Sequence, residues 1–194
     1  MGRSKEFDTS IVLRKAMEVF GHYGYEGTTL QHLLDGLGIA RQSLYDTYGT
    51  KRDLFISAVK HYVTEKSDAV ISCLEQPGSA KEAIARIFHE VAAVLKDEER
   101  RKECFILNSA IDQVPHNPEI AAFFNRDMAR LEHAFYGAIM RAREMGELNA
   151  NMNPRAHAQY LNHARYSLTQ AAKLTQDPVV LDHITEVILT TLDK

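Results

Sequence analysis

Three consecutive polar side chains, Arg41, Gln42 and Ser43, stand at the start of a short predicted helix. An arginine guanidinium can donate two hydrogen bonds to a guanine edge, and a glutamine amide pairs well with the edge of an adenine. Tyr45 and Tyr48 follow at positions from which their hydroxyls can reach phosphate oxygens. Taken singly, Arg41 could be a solvated surface charge and Tyr45 could simply pack. As a set at the head of one short helix, these residues favour contact with double-stranded DNA.

The segment around these residues supplies the geometry that such reading needs. It predicts a helix over 29–36, a turn at Gly38, a second helix over 41–47 and a long helix over 51–74. Gly38 suits the turn because a residue without a Cβ tolerates positive φ. Two short helices joined by a glycine turn are typical of a helix-turn-helix unit, which lays its second helix into the major groove.

The rest of the chain is punctuated by helix-start signals. Asn or Asp followed by Pro suits the first positions of a helix, and Ser or Thr followed three residues later by a carboxylate or amide is typical of a capping box. The first signal occurs at 117–118, 153–154 and 177–178, and the second at 28–31, 50–53 and 79–82. No segment shows sustained strand-like alternation. The predicted fold class is all-α, with helices over 9–23, 29–36, 41–47, 51–74, 79–97, 102–113, 118–145, 154–174 and 178–192.

Composition sets limits on the function. The 194 residues carry a formal net charge of −3, so the chain is not a generally basic nucleic-acid coat, and DNA contact must rely on a local patch such as Arg41, Lys51 and Arg52. Two cysteines are too few for a disulfide framework, and the N-terminus lacks an apolar signal core. No apolar run is long enough to span a bilayer. A cytoplasmic location is expected.

The N-terminal third resembles the DNA-binding domain of the TetR/AcrR-type transcriptional repressors. The resemblance covers roughly residues 9–55 and rests on Val12, Leu13, Ala16, Val19, Phe20, Gly24, Tyr25, Thr28, Thr29, Leu33, Gly38, Ile39, Leu44, Tyr45, Tyr48, Lys51 and Leu54. It implies an all-helical homodimer with an N-terminal DNA-binding domain, 1–55, and a C-terminal ligand-binding and dimerisation domain, 56–194. It also implies that Thr28, Thr29 and Lys51 touch the DNA backbone. Where the family often has Ser or Thr before the reading helix, this chain has Ala40, so a side-chain cap is missing there.

The last two predicted helices carry small and apolar residues at helical spacing. Two such helices from each of two chains would form a four-helix bundle, as the resemblance also implies, although a purely internal core would show the same periodicity. A helix-turn-helix reader needs paired half-sites, which favours the dimer. The predicted dimer residues are Leu161, Ala164, Leu168, Ala171, Ile184, Val187 and Ile188.

The middle helices carry apolar and polar residues among which the resemblance implies a pocket for a small-molecule inducer. The pocket candidates are His89, Phe105, Asn108, Asp112, Phe124, Met128 and Leu131. Cys104 follows Arg100, Arg101 and Lys102, and nearby cations favour the reactive thiolate, although Glu103 opposes it. A thiol-based redox or electrophile sensor is therefore an alternative to a ligand-released repressor.

Neither catalysis nor metal binding is indicated. The nine histidines form no His-Glu-x-x-His pair, and no glycine-rich phosphate loop or nucleophile elbow is present. We expect no catalytic residue, no metal and no cofactor. The expected function is a repressor that binds a palindromic operator as a homodimer and is released by an inducer; the alternative of another class is a helical interaction protein that no longer reads DNA.

Overall fold

A computed structural model describes residues 8–111, 117–149 and 151–193. Within these residues every regular element is a helix, which confirms the all-α prediction. In the described part of the chain, no helix is long and apolar enough to cross a membrane. The elements are α1 (Thr9–Gly27), α2 (Leu30–Leu37), α3 (Arg41–Tyr48), α4 (Lys51–Glu75), α5 (Ala80–Lys96), α6 (Arg101–Ile111), α7 (Pro118–Glu144), α8 (Pro154–Leu174) and α9 (Pro178–Thr190).

The chain forms two compact units. The first takes in the described residues up to Glu65 and those between Lys102 and Ala121, and the second takes in the described remainder. The first unit therefore reaches beyond the predicted 1–55 segment, because most of α6 and the start of α7 belong to it. The functional boundary between residues 55 and 56 stays a prediction.

The helix-turn-helix belongs to the first unit. Its core comes from α1, α2 and α3, where Phe20 and Leu33 are fully buried and Leu44 is nearly so. The Phe20 ring meets the Phe55 ring of α4 edge-on, with centroids 5.1 Å apart. Gly38 ends α2 in the left-handed conformation (φ 66°), as predicted from its lack of a Cβ. Burial of these side chains fixes the two short helices, since helices of eight residues are marginal alone.

Most of the predicted helix-start signals form. The side chains of Asn117, Asn153 and Asp177 accept backbone N–H bonds, as does Ser79. At the head of α4 the Thr50 and Asp53 side chains each accept the other residue's backbone N–H. The predicted 28–31 box is wrong by one residue, because the box at the head of α2 joins Thr29 to His32. A histidine ring there takes the place of the usual Glu or Gln.

The second unit is built on the mutual packing of α5, α8 and α9. Ile84 and Phe88 of α5 and Leu161 and Leu168 of α8 are fully buried, and Leu181 of α9 is nearly so. Each fully buried side chain of this kind contributes about 1.5–3 kcal/mol relative to an exposed one. This burial leaves the opposite sides of α8 and α9 uncovered within the protomer.

Candidate functional site

The outer face of α3 carries the side chains predicted to read bases. Arg41 and Gln42 are exposed, and Ser43 is half-buried. The Gln42 amide nitrogen donates to a carboxylate oxygen of Asp46 at 2.7 Å. The Arg41 guanidinium lies 5.7 Å from the centre of the Tyr45 ring, within reach of a cation–π interaction. Both pairs are one helical turn apart, so α3 holds its own reading side chains in place.

Ala40 occupies the N-cap position of α3 and makes no side-chain hydrogen bond. The missing cap was predicted from the sequence, and the structure confirms it. The backbone amides at the head of α3 are therefore left without a side-chain acceptor from the cap residue. Backbone N–H groups at a helix N-terminus favour anions such as phosphate oxygens.

Thr28 does not present its hydroxyl as the sequence analysis predicted. Its side chain is 2% exposed, and the hydroxyl donates to the carbonyl oxygen of Gly24 at 2.6 Å. Gly24 lies at a kink in α1 with a φ of 71°, and its carbonyl oxygen also accepts the backbone N–H of Thr28 at 3.1 Å. Thr28 therefore closes the end of α1 instead of facing DNA.

Thr29 is exposed at the head of α2, next to its capping partner. The Nδ1 atom of His32 accepts the backbone N–H of Thr29 at 3.3 Å, and the imidazole ring stacks on Tyr23 with centroids 3.9 Å apart. This pair was not predicted from the sequence. The spacing of three residues between Thr29 and His32 is the capping-box signal, but histidine is not the residue that the rule looks for.

The predicted phosphate contacts Tyr48, Tyr45 and Lys51 lie in different surroundings. Tyr48 is 8% exposed and its hydroxyl is shielded from water, so it cannot offer that hydroxyl to phosphate as predicted. Burial raises the pKa of Tyr48. Tyr45, by contrast, is 43% exposed. The Lys51 ammonium lies 4.7 Å from the centre of the Tyr25 ring, which positions it at the head of α4.

The predicted dimer residues divide into two groups. Leu161, Ala164, Leu168 and Ile188 are buried within the protomer. Leu161 and Leu168 belong to its core and cannot present themselves to a second copy, whereas Ala164 and Ile188 still border an open groove at the surface. Val187 is 64% exposed, and Ala171 and Ile184 are half-exposed. Periodicity could not separate the groups, because adjacent positions of one helix face the core and the surface.

An open apolar groove of about 460 Å³ runs between α8 and α9. It is lined in part by predicted residues, namely Ala164, Ile184, Val187 and Ile188. The remaining lining residues were not predicted, and they are Tyr160, His163, Ser167 and His183. Tyr160 is 43% exposed, which makes it the largest uncovered aromatic side chain of this face.

The predicted pocket residues are distributed over both units. Phe105 belongs to the first unit and is half-buried, whereas Phe124 and Leu131 are buried and Met128 half-buried in the second. His89 lies exposed on α5, so it is not part of an interior pocket in this unit. The side chain of Asn108 and all of Asp112 lie outside the described residues.

The buried polar cluster of the second unit is centred on Asp127 and comprises the buried Ser67 and Asp127, the half-buried Arg165 and the exposed Arg130 at its edge; the buried Asn162 lies beside it, against Met128. Asp127 is 3% exposed and accepts a hydrogen bond from the Ser67 hydroxyl at 2.8 Å. An Arg130 nitrogen lies 3.5 Å from the other carboxylate oxygen. The amide nitrogen of Asn162 donates to the Met128 carbonyl at 3.1 Å, while its amide oxygen is buried without a hydrogen-bond donor. Burial raises the pKa of Asp127, against the opposing effects of Ser67 and the two arginines.

Cys104 lies half-buried near the start of α6, with its sulfur 3.5 Å from the Tyr62 hydroxyl. Tyr62 is 7% exposed, and burial is the main reason that its pKa is raised. Its hydroxyl therefore keeps its proton at neutral pH. In the described residues, no three His, Cys, Asp or Glu side chains come together as metal ligands.

Comparison with protein families and curated proteins gives consistent matches. Residues 12–58 match the model of bacterial regulatory proteins of the tetR family, and residues 80–188 match that of the tetracyclin repressor-like C-terminal domain. The chain is 58% identical over 194 residues, the full length of both proteins, to the uncharacterized HTH-type transcriptional regulator YezE of Bacillus subtilis (strain 168). It is 27% identical over 164 residues to the HTH-type transcriptional repressor ComR of Escherichia coli (strain K12), which covers 83% of this chain and 77% of ComR.

Solved structures agree with these matches. A cysteine mutant of the TetR family transcriptional regulator CifR, complexed with 26bp double-strand operator DNA, has 25% identity and a TM-score of 0.73, covering 98% of this chain and 100% of that one. The reduced form of E. coli NemR shares the fold, with a TM-score of 0.78 at 14% identity, covering 95% of this chain and 98% of that one. The matches include both family domains. The chain belongs to the TetR family of transcriptional regulators, which bind DNA and are not enzymes.

Proposed function

We propose that the chain is a homodimeric repressor that binds a palindromic operator and is released by a small-molecule inducer. The observation that carries the proposal is the exposed face of α3, where Arg41 and Gln42 stand uncovered on a helix-turn-helix. Support also comes from the 26-base-pair operator in the CifR complex. That length is about two and a half helical turns, enough for two reading helices one turn apart.

The proposed DNA contacts fall into two classes. Arg41, Gln42 and Ser43 would contact base edges from the N-terminal end of α3, where each good bidentate contact is worth about 1–3 kcal/mol of discrimination. The proposed phosphate contacts are Thr29, Tyr45 and Lys51. We leave out Thr28 and Tyr48, because their hydroxyls are buried.

The proposed dimer forms through the uncovered sides of α8 and α9. Its central residues would be Tyr160, Ile184 and Val187, whose side chains border the open groove. A two-fold dimer uses the same patch on both copies, so the groove of one protomer would receive the partner's exposed side chains. Leu161, Leu168 and Ile188 would support this face from within the protomer.

The proposed inducer site lies in the second unit, near Phe124, Met128 and Leu131. The buried polar cluster adjoins this apolar region and would orient a ligand by hydrogen bonds. The buried amide oxygen of Asn162 accepts no hydrogen bond within the protein, so a ligand that donates one would satisfy it. For a hundredfold loss of operator affinity, the inducer must favour the released state by about 2.7 kcal/mol, a usual coupling energy. This region belongs to the proposed ligand-binding and dimerisation domain, 56–194.

Fluorescence anisotropy with the DNA upstream of the chain's own gene tests the repressor proposal. Wild type should bind selectively over scrambled DNA, with an affinity that falls steeply as salt increases. The double variant Arg41→Ala with Gln42→Ala should lose selectivity while keeping its helical signal. Arg126→Ala, which removes an exposed arginine of α7, is the matched control and should bind like wild type. If wild type shows no selective binding, the helical interaction protein becomes the better description.

A second candidate, regulation through the Cys104 thiol, is favoured by the Tyr62 contact. A hydroxyl that keeps its proton can donate to a thiolate, and such a hydrogen bond favours the ionised sulfur. The thiolate would attack hydrogen peroxide, forming sulfenic acid and releasing hydroxide. Glu103, the preceding residue, acts against this by its negative charge.

Peroxide treatment in the anisotropy assay tests the thiol candidate. Oxidised wild type should lose operator affinity and regain it with a thiol reductant, while Cys104→Ser should stay bound. Cys73→Ser is the matched control and should respond like wild type. If Cys104→Ser is released by peroxide as readily as wild type, the thiol at this position is not the sensor.

A further inference from the structure

The groove between α8 and α9 contains two histidines in an otherwise largely apolar lining. His163 of α8 and His183 of α9 are both exposed in the protomer, and no carboxylate is among the described residues that line the groove with them. Ile184 and Val187 lie on the same lining. A second copy seated on this face, as in the proposed function, would remove both imidazoles from water.

Few charges near these histidines could compensate a proton. Asp182 precedes His183 but already binds the Lys96 ammonium of α5 at 2.7 Å. Glu186 follows His183 by one helical turn and is exposed. Other charged groups nearby pair elsewhere: Lys81 with Asp193, Arg100 with Glu90, and Arg155 with Glu132. Glu82 and Arg86 of α5 and Arg165 and Lys173 of α8 are not among the residues that line the groove. Protonated imidazoles in the covered groove would therefore have few negative charges nearby to compensate their positive charge.

We propose that His163 and His183 make the dimer sensitive to protons, so that acidification separates the two copies and weakens operator binding. This inference rests on the proposed homodimer. A neutral imidazole tolerates an apolar interface, whereas an imidazolium loses its hydration there. Histidine ordinarily takes up its proton near pH 6.5, within the range that a cell can reach.

The direction of the effect follows from linkage. The separated protomers bind more protons than the dimer, because the dimer favours neutral imidazoles at four positions. Dimer stability should therefore fall as the pH decreases into the range where histidine ordinarily takes up a proton. The dimer dissociation constant should rise by at least about tenfold between pH 7.5 and pH 5.5, since four protonations contribute.

Sedimentation equilibrium at pH 7.5, 6.5 and 5.5 tests the inference. The oligomeric state is a better readout than DNA affinity, because it reports on the interface alone and not on the DNA-binding residues of the first unit. Wild type should dissociate progressively as the pH falls. The double variant His163→Gln with His183→Gln should stay dimeric, and His133→Gln, an exposed histidine of α7 outside the groove lining, should behave like wild type.

The possible results distinguish failure of the pH inference from failure of the proposed homodimer. A wild-type dissociation constant that stays flat with pH, or a double variant as sensitive as wild type, overturns the inference while the homodimer stands. A protein that is monomeric even at pH 7.5 overturns both. Should the double variant fold poorly by circular dichroism, the single variants replace it, and each should remove about half of the wild-type slope of log Kd against pH.

Discussion

The hydroxyl of Thr28 donates to the carbonyl oxygen of Gly24 at 2.6 Å, and this bond closes α1 where its regular geometry is interrupted. Thr28 and Thr29 are adjacent in the sequence, yet one points into the core and the other caps α2 at the surface. The two threonines should therefore respond differently to substitution.

Thr28→Val keeps the shape of the side chain and removes its hydroxyl. We expect the free energy of unfolding to fall by about 1 kcal/mol, since one buried hydrogen bond is lost. Operator affinity should change by less than about twofold, because no DNA contact is removed. Urea unfolding and anisotropy measure the two quantities.

Thr29→Ala removes the N-cap of α2 and a proposed phosphate contact. Stability should fall by about 1 kcal/mol, as for other lost caps, but operator affinity should now fall as well. The comparison is made at a temperature where both variants are folded. Equal losses of affinity for the two variants would restore a direct role for Thr28.

Ala40→Ser should supply the side-chain cap that α3 lacks. A serine oxygen at an N-cap accepts an amide near the helix start, and the gain is roughly 0.5–2 kcal/mol. The melting temperature should therefore rise. Ala93→Ser, at an exposed position inside α5, is the control and should not stabilise the protein, because serine is a weaker helix former than alanine. A rise with both variants would show that the gain does not come from the cap.

Asp127 should make stability depend on pH in a defined direction. Burial raises its pKa in the folded protein, so the folded state holds the proton more tightly than the unfolded chain. Its favourable contribution is present below the ordinary aspartate pKa of about 3.9 and is lost as the pH rises through the raised value.

Asp127→Asn removes this titration. The free energy of unfolding of wild type, measured relative to Asp127→Asn, should therefore decrease as the pH rises above 4. Ser67→Ala removes the hydrogen bond that favours the carboxylate and should extend the decrease to higher pH. If the free energy of unfolding of wild type instead increases with pH relative to that of Asp127→Asn, the assigned direction of the pKa shift is wrong.

Val187→Asp should separate the proposed dimer without unfolding the protomer. Val187 is 64% exposed, so the charge is solvated in the protomer but would be desolvated in the interface. We expect the dimer dissociation constant to rise at least about tenfold, since charge burial costs several kcal/mol. Sedimentation equilibrium measures it.

Two aspartate substitutions serve as controls for Val187→Asp. Val179→Asp places the same charge on an exposed site of α9 outside the groove lining, and it should leave the dimer intact. Leu168→Asp places it in the protomer core and should abolish folding, which circular dichroism would show. A Val187→Asp protein that remains dimeric would move the interface elsewhere.

The sequence by itself determined the helices and their caps, because these depend on local signals. Asn153 and Asp177 sit directly before prolines, and each side chain reaches amides two or three residues away. The same local logic identified Gly38 as the turn and Ala40 as a missing cap. The helix-turn-helix and its family could be inferred for this reason, since its reading residues lie within one short segment.

Only the tertiary structure decided which of these residues face solvent. Thr28 and Thr29 carry the same chemistry one residue apart, yet Thr28 is buried at the end of α1 and Thr29 is exposed at the head of α2. Leu168 and Val187 have the same periodic pattern in their helices, but the packing of α5 against α8 and α9 buries the first and leaves the second exposed. Burial depends on contacts between residues far apart in the chain, and helical periodicity describes only the helix on which a residue lies.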